Sequence, residues 1–465
     1  MKISTFTTKF LSMNRFSLFL LVFLFLKPGH SQNTDSLLIR EIFTNSLTNR
    51  EAYNNLGYLC ENTQGRLIGS ETSLVALEYL KNYAESIGVD TVYLQAFKSP
   101  AWKQNAATLR IKSGKSKISI KCDALGPSPS TADKGIMAVI IEVKSLKEVE
   151  DLGEERIKGK IVFYNRPWDH SAINTFAGYG HTVDQRSRGP AMAAKFGAVG
   201  VIVRSAGSGY DDFPHTGSTR YEDKKIPAVA ISAMDADFLS QKLKVFPGTT
   251  ATLLTDCEDL QEVTTYNLIA EIKGHEKPEE IIAVGGHIDA WFNSPGAHDD
   301  GAGCVMSMDV LRIFKELKIQ NKRTIRAVMF MDEELYQSGG KAYAENSLVK
   351  KEKHILAIEA DAGAFTPEGF MVDANETAFN KISGYYPVFE PYGIKYIRKG
   401  GTGVDIAPLK QQGVNLAGYR TDSQRYFDLH HSANDTFDQI NFRELQLGSG
   451  NLASLIFLVD KYGVE

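Results

Sequence analysis

The sequence predicts an α/β fold, with parallel strands buried between helices, on three observations. Apolar runs at 281–284, 325–331 and 355–358 are short and rich in branched residues, as strands covered on both faces are. Between them apolar residues recur at helical spacing, for instance Cys304, Met308, Leu311 and Phe314. Polar residues of metal-ligand type stand directly after each run: His287 with Asp289, Glu333 with Glu334, then Asp361. Ligands of open α/β sheets bind at the carboxyl ends of the strands, so these residues are expected to converge on one edge.

The N-terminus comes first in chain order. Residues 16–26 form an apolar run too short to span a bilayer, preceded by Lys9 and Arg15 and followed by Lys27, Pro28 and Gly29. This predicts a secretory signal peptide over 1–31, with Gly29 and Ser31 as small residues before the cut and Gln32 as the mature start. An uncleaved anchor needs a longer run, and no cysteine near the cut offers a lipid site. The expectation is a secreted or periplasmic protein with no membrane anchor after cleavage. The net charge of −4 includes four cations and no acid in the first 31 residues, so a processed chain carries −8. Nucleic acid is therefore not an expected partner. With 43% hydrophobic and 23% charged residues over 465 positions, the chain is globular material for two or three domains.

Leu74, Leu77, Leu80, Ala84 and Ile87 recur at helical spacing, with Thr72 or Ser70 as N-cap and Gly88 as the stop, which predicts a covering helix. The alternating stretch 91–97 reads as a strand. From 119 to 257 the character changes to short strands, such as 160–164, 199–204 and 228–231, between turns and short helices. This reads as an insertion in a domain formed by 32–118 and 258–465. Its segments AMAAKFGAVGVIVRS and KIPAVAISAMDADFL resemble a protease-associated α/β domain, a type of insert that shapes access to a site. The four cysteines, Cys60, Cys122, Cys257 and Cys304, match no zinc spacing. Cys304 lies in a helical pattern and reads as a buried free thiol, while pairing of Cys122 with Cys257 is left open.

Imidazoles and carboxylates without thiolates suit zinc, with manganese or cobalt as substitutes. Positions two apart in an extended chain share a face, so Asp289 is placed to orient the His287 ring. In PGAHDDGAG, Asp299 and Asp300 stand in a glycine-rich turn that opens a helix. One of them serves as a cap, and at most one bridges two metals. In MDEELYQSGG one of Glu333 and Glu334 is a ligand and the other a base. His430 and His431 follow in DLHHSANDT, and adjacent side chains are expected to point in different directions. His287, one of Asp299 and Asp300, one of Glu333 and Glu334, Asp361 and one of His430 and His431 together supply a bridging carboxylate, one histidine per metal and one further carboxylate per metal. That is the inventory of a two-metal hydrolase.

The segments HIDAW, GAHDDGAG, DEELYQSGG, EADAG and HHSANDT, in this order, resemble the co-catalytic zinc exopeptidase family of the aminopeptidase Y type. The likeness is closest to its plasma glutamate carboxypeptidase branch and extends to the insert and to GTGVDI at 401–406. The resemblance implies a three-layer α/β/α sandwich with an inserted protease-associated domain, two zinc ions per chain, short peptide substrates and a homodimer. It implies Asp299 as the bridge, one metal on His287, Asp299 and Asp361, and the other on Asp299, Glu334 and His431. Glu333 is then the general base, Asp289 the supporting acid and Asp300 structural. Tyr336 stands where the family carries glycine. The implied activity is hydrolysis of unblocked dipeptides or terminal peptide bonds. Three alternatives differ: an aminopeptidase on longer peptides, a one-zinc acyl transferase of the glutaminyl cyclase type, and a binding scaffold without catalysis. No G-x-S-x-G elbow or H-E-x-x-H helix competes.

Overall fold

The computed structural model describes residues 30–465, with side chains described from Thr34 onward. The expected signal peptide lies outside the described residues except for its last two positions, His30 and Ser31, which begin helix His30–Thr48. The chain falls into two units, residues 1–41 and residues 42–465; the first contributes the opening turns of helix His30–Thr48. Among the described residues no helix is long and apolar enough to cross a membrane.

Among the described residues fourteen strands build one sheet. They are β1 (Thr91–Ser113), β2 (Ser116–Ile120), β3 (Cys122–Ala124), β4 (Ile136–Val143), β5 (Ile161–Tyr164), β6 (Gly200–Arg204) and β7 (Ala228–Ile231), then β8 (Thr250–Ile272), β9 (Lys277–His287), β10 (Arg323–Phe330), β11 (Lys353–Glu359), β12 (Pro367–Asp373), β13 (Tyr396–Lys399) and β14 (Asn415–Thr421). Their order is β13-β12-β14-β11-β9-β10-β8-β4-β5-β6-β7-β3, with β1 paired to β8 and β2 off this path. The three strands expected from apolar runs are β9, β10 and β11. They lie side by side and parallel, with β9 in the middle, Phe330 opposite His287 and Glu359 opposite Gly285. That register brings the carboxyl ends of all three strands to the same edge.

Helices cover both faces, as the α/β expectation requires. Helix Ser338–Lys350 lies on one face, where Tyr343 and Ala344 pack with Ala283, Val328 and Ala357. By the alternation of strand side chains, Ile282 and Ala327 face the opposite way. There helix Ala302–Glu316, buried all round from Ala302 to Phe314, packs on β9 and β10 and against helix Phe442–Tyr462.

The predicted covering helix spans Glu71–Ser86, with Ser70 as its cap: Ser70 Oγ accepts from Ser73 N at 3.1 Å. Its buried stripe is Ser73, Ala76, Leu77, Leu80 and Ala84, whereas Leu74 is 49% exposed. Ser73 turns its hydroxyl back to Ser70 O at 2.7 Å, and so takes the inward place expected of Leu74. β1 runs far past the expected end at 97, because it pairs with β8 from Thr91 to Lys112, with register shifts at Ala101/Trp102 and Gln104/Ala106. Pro100 lies within it, paired with Glu262, and an edge strand accommodates a proline.

The two ends of β8 serve different neighbours. Thr250–Leu253 pairs with β4, and Leu268–Ile272 pairs with β10. β4 to β7 surround a hydrophobic cluster of their own, drawn from residues 125 to 230 and including Val162, Tyr164, Val201 and Ala228. All four cysteines are free, and Cys304 is buried.

One buried histidine, at the start of β11 and so away from the carboxyl ends of the strands, gives a pH prediction. His354 Nε2 lies 2.6 Å from Tyr343 Oη, which itself accepts from Arg326 Nη1 at 3.0 Å. Burial, with Arg326 adding to it, pushes His354 down to about 4. An unfolded histidine titrates near 6.5, so between about pH 6.5 and 4 the folded protein binds fewer protons than the unfolded chain. Stability is full above that window and declines by roughly 3 kcal/mol through it. His354→Gln is expected to flatten this part of the melting-temperature profile; an unchanged acid slope contradicts the assignment.

Candidate metal centre

The site lies where β9, β10 and β11 end. His287 is the last residue of β9, and its backbone N–H donates to Asp300 Oδ2 at 3.0 Å. Gly286 has no side chain to block that approach: a Cβ there would collide with Asp300 Oδ2. Asp300 Oδ1 also accepts from Gly303 N at 3.0 Å, so both its oxygens tie the start of helix Ala302–Glu316 to the end of β9. Asp300 is thus occupied structurally, which leaves Asp299 facing the cavity.

His287 Nδ1 lies 3.1 Å from Asp289 O and 3.6 Å from Asp289 Oδ1. Its Nε2 is then turned to Asp299 Oδ1 at 3.2 Å and Asp361 Oδ1 at 3.8 Å. Burial disfavours the imidazolium, but Asp289, Asp299 and Asp361 outweigh it and hold His287 well above its ordinary value.

The Asp289 carboxylate reaches further. It accepts from Glu333 N at 3.1 Å and Glu334 N at 3.3 Å, fixing the loop after β10. Asp332, in a left-handed conformation at φ 70°, holds the same loop by accepting from Ser99 Oγ at 2.8 Å and Tyr336 N at 3.2 Å. Glu334 is buried and accepts from Trp291 Nε1 at 2.5 Å. Burial raises it well above the usual carboxylate range. Glu333 is half-buried, and burial together with neighbouring Asp361 and Asp289 pushes it up to about 8 against the pull of His287.

On the other side of Asp299, His431 Nε2 lies 3.0 Å from Glu334 Oε2 and 3.5 Å from Asp299 Oδ2. His431 Nδ1 is 3.2 Å from Thr216 O, a donor arrangement that leaves the Nε2 lone pair facing the acids. Burial, with His430 and Arg186 adding to it, keeps His431 well below its ordinary value.

The expected divergence of His430 and His431 is not what the structure has. Their rings stack at 3.6 Å, and His430 Nε2 is 3.7 Å from Asp299 Oδ2. The reason is local: His431 has φ 62°, so the alternation of an extended chain does not apply. Proximity to Asp299 therefore does not separate the two rings, but the Glu334 contact does.

Two groups of side chains are close enough to share an ion, His287, Asp299 and Asp361 on one side and Asp299, His430 and His431 on the other. Asp299 belongs to both. Asp299 Oδ2 and Asp361 Oδ1 are buried without any hydrogen-bond partner. Buried acceptors are costly unless paired, and bare carboxylate oxygens turned toward imidazole lone pairs fit cations between them. The donor set, nitrogen and oxygen without sulfur, fits zinc.

Several residues at the site had no role assigned to them from the sequence. Asp435 accepts from His298 N at 2.8 Å and Asp299 N at 3.0 Å, so its carboxylate holds the backbone that presents Asp299. Thr216 and Arg186 come from the region between β5 and β7. A cavity of about 230 Å³ opens over Asp299, Glu333, Glu334 and Asp361, with Phe176, Tyr179 and Arg186 in its walls. Tyr336 lines a neighbouring cavity that shares Ser218 and Gln337 with this one.

Comparison with known proteins agrees with this geometry. Residues 267–456 match the model of peptidase family M28. Carboxypeptidase Q of Homo sapiens is 31% identical over 416 residues, 89% of this chain and 85% of that protein. Carboxypeptidase Q of Xenopus laevis is 32% identical over 83% of this chain and 80% of its own length. The crystal structure of a peptidase M28 precursor from Shewanella amazonensis superposes with a TM-score of 0.88 at 33% identity, covering 92% of this chain and 97% of that one. A zinc aminopeptidase from Bacillus subtilis shares the fold, with a TM-score of 0.64 at 20% identity over 88% and 94% of the two chains.

Proposed function

The chain belongs to peptidase family M28 and is a metallo-exopeptidase, and from that premise we propose an exported two-zinc enzyme that hydrolyses unblocked dipeptides or terminal peptide bonds. One observation carries the metal count: Asp299 stands between two ligand groups and is the only side chain common to both among the described residues. His287, Asp299 and Asp361 would hold one zinc, and Asp299, Glu334 and His431 the other. Zinc is favoured by the donor chemistry and by the zinc aminopeptidase that shares the fold. Export rests on the signal-like N-terminus, and residues 119–257 are read as a protease-associated insert.

The two ions, when bound, polarise the scissile carbonyl and lower the pKa of water in the site. The rest falls to the protein. Glu333, held by Asp289 through its backbone and facing the cavity, takes a proton from the attacking water on a carboxylate oxygen. The same oxygen returns it to the leaving amine. Asp289 keeps His287 turned toward Asp299, Trp291 fixes Glu334, and Asp435 fixes the backbone of Asp299.

The small cavity favours the dipeptide mode, and the carboxypeptidase Q relatives favour action at a C-terminal residue. Zinc content and rates on free dipeptides, longer peptides and N-blocked peptides test it together. Expected are two zinc ions per chain, loss of hydrolysis on chelation and preference for unblocked dipeptides. One zinc in fully active protein contradicts the two-ion centre, and rapid stepwise trimming of long peptides with poor dipeptide turnover reverses the substrate mode toward an aminopeptidase.

A further inference from the structure

His430 is buried beside the metal centre without a task among the proposed ligands. It is 8% exposed and lines the cavity over Asp299 and Glu333. Its Nδ1 is buried and unpaired among the described residues, and its Nε2 stands 3.7 Å from Asp299 Oδ2, beyond hydrogen-bond reach. Even a neutral imidazole carries one N–H, and a buried donor left unpaired is costly. With Nδ1 enclosed, the hydrogen is assigned to Nε2, which is turned to the carboxylate of Asp299.

The ring is held so that it cannot turn to find another acceptor. It stacks on His431 at 3.6 Å, and Tyr179, Tyr426 and Phe427 pack around it with ring centroids 5.2, 5.4 and 5.3 Å away. His215 Nδ1 donates to His430 O at 2.7 Å, and His430 N donates to Tyr426 O at 3.0 Å. Stacking sets the two Nε2 atoms side by side: that of His431 is 3.5 Å and that of His430 3.7 Å from the same oxygen, Asp299 Oδ2. His431 Nε2 is also 3.0 Å from Glu334 Oε2. One ring thus meets the ligand carboxylates, and its neighbour presents an N–H to an oxygen seated beside them in the cavity.

We infer that His430 is a catalytic residue whose Nε2–H hydrogen-bonds the scissile carbonyl oxygen as that oxygen becomes negative, an assignment that rests on the peptidase reading above. In the addition step the water oxygen bonds to the carbonyl carbon, the C=O π pair moves onto the oxygen, and one water proton goes to Glu333. His430 donates to the charged oxygen and keeps its own proton. On collapse the pair returns, the C–N bond breaks, and the amine leaves with the proton from Glu333. A donor aimed in advance gains strength as the charge develops and needs no reorganisation.

The test compares wild type, His430→Phe, His430→Gln and Tyr426→Phe at measured zinc content. His430→Phe keeps an aromatic ring on His431 and is expected to retain two zinc ions while kcat falls roughly 100-fold, with KM changed less than about threefold. His430→Gln restores an N–H donor and should recover part of the loss. A phosphinic analogue of a dipeptide, whose P–O⁻ stands for the charged oxygen, should bind His430→Phe roughly 100-fold more weakly in calorimetry, while the product amino acids bind as they do to wild type. In wild type with labelled histidine the analogue should bring out an imidazole N–H resonance that both His430 variants lack. A His430→Phe enzyme with wild-type kcat overturns the assignment, and so does one that has lost a zinc, because the ring is then a ligand. A raised KM at unchanged kcat, or analogue and product affinities that fall together, assigns the ring to packing or ground-state binding and also overturns it. So does a loss confined to Tyr426→Phe, which moves the donor to the phenol. Should His430→Phe fail to fold, the resonance in wild type decides, and its absence with the analogue bound overturns the assignment. An active enzyme indifferent to His430→Phe sinks this inference alone, whereas a zinc-loaded wild type that hydrolyses no peptide sinks the peptidase reading and this one with it.

Discussion

Glu333→Gln is expected to keep the fold and both zinc ions while turnover falls roughly 100- to 10,000-fold, the contribution of a positioned general base. That loss corresponds to roughly 3–5 kcal/mol of transition-state stabilisation. Glu333 and Glu334 are adjacent acids on one loop, and their surroundings differ. Glu334 is buried, fixed by Trp291 and 3.0 Å from His431. Glu333 faces the cavity, and its backbone N–H is held by Asp289. Replacing its carboxylate by an amide removes a proton acceptor and disturbs no contact of the proposed ligands. KM is expected to change far less than kcat. Zinc analysis beside the kinetic constants checks this, and a Glu333→Gln protein with wild-type turnover, or with one zinc fewer, refutes the role. Glu334→Ala is expected to lose zinc and activity together.

Asp299→Ala is expected to empty the whole centre. Asp299 is the one carboxylate within reach of both ligand groups among the described residues, so its removal weakens both ions, and turnover should fall by at least roughly 10,000-fold as Lewis-acid and electrostatic assistance go together. The histidines give a finer comparison in the same assay. His431→Ala is expected to lose one zinc, because His431 contacts both Glu334 and Asp299. His430→Ala should leave zinc content near two, since His430 approaches Asp299 only at 3.7 Å and stacks on its neighbour. The reverse pattern would make His430 the ligand. Asp435→Ala should weaken zinc binding without touching a ligand, through the two N–H groups it holds.

What the sequence determined by itself was set by short-range periodicity and by residues adjacent to it. The branched apolar runs of β9, β10 and β11 and the helical spacing from Cys304 to Phe314 specify buried strands and a buried helix wherever they occur. The ligand-type residues were legible because they follow those runs directly, and parallel pairing aligns the strand ends. Ser70 as a helix cap was legible for the same local reason. Only the tertiary structure decided how adjacent acids and histidines divide their contacts. Asp300 is diverted by the backbone of His287 and Gly303, and His430 and His431 share a side because of one left-handed residue. The length of β1 depended on a partner strand more than a hundred positions away. Arg186 and Thr216 reach His431 across 245 and 215 positions, where no periodicity operates, because contacts of that kind are made by packing and leave no pattern along the chain.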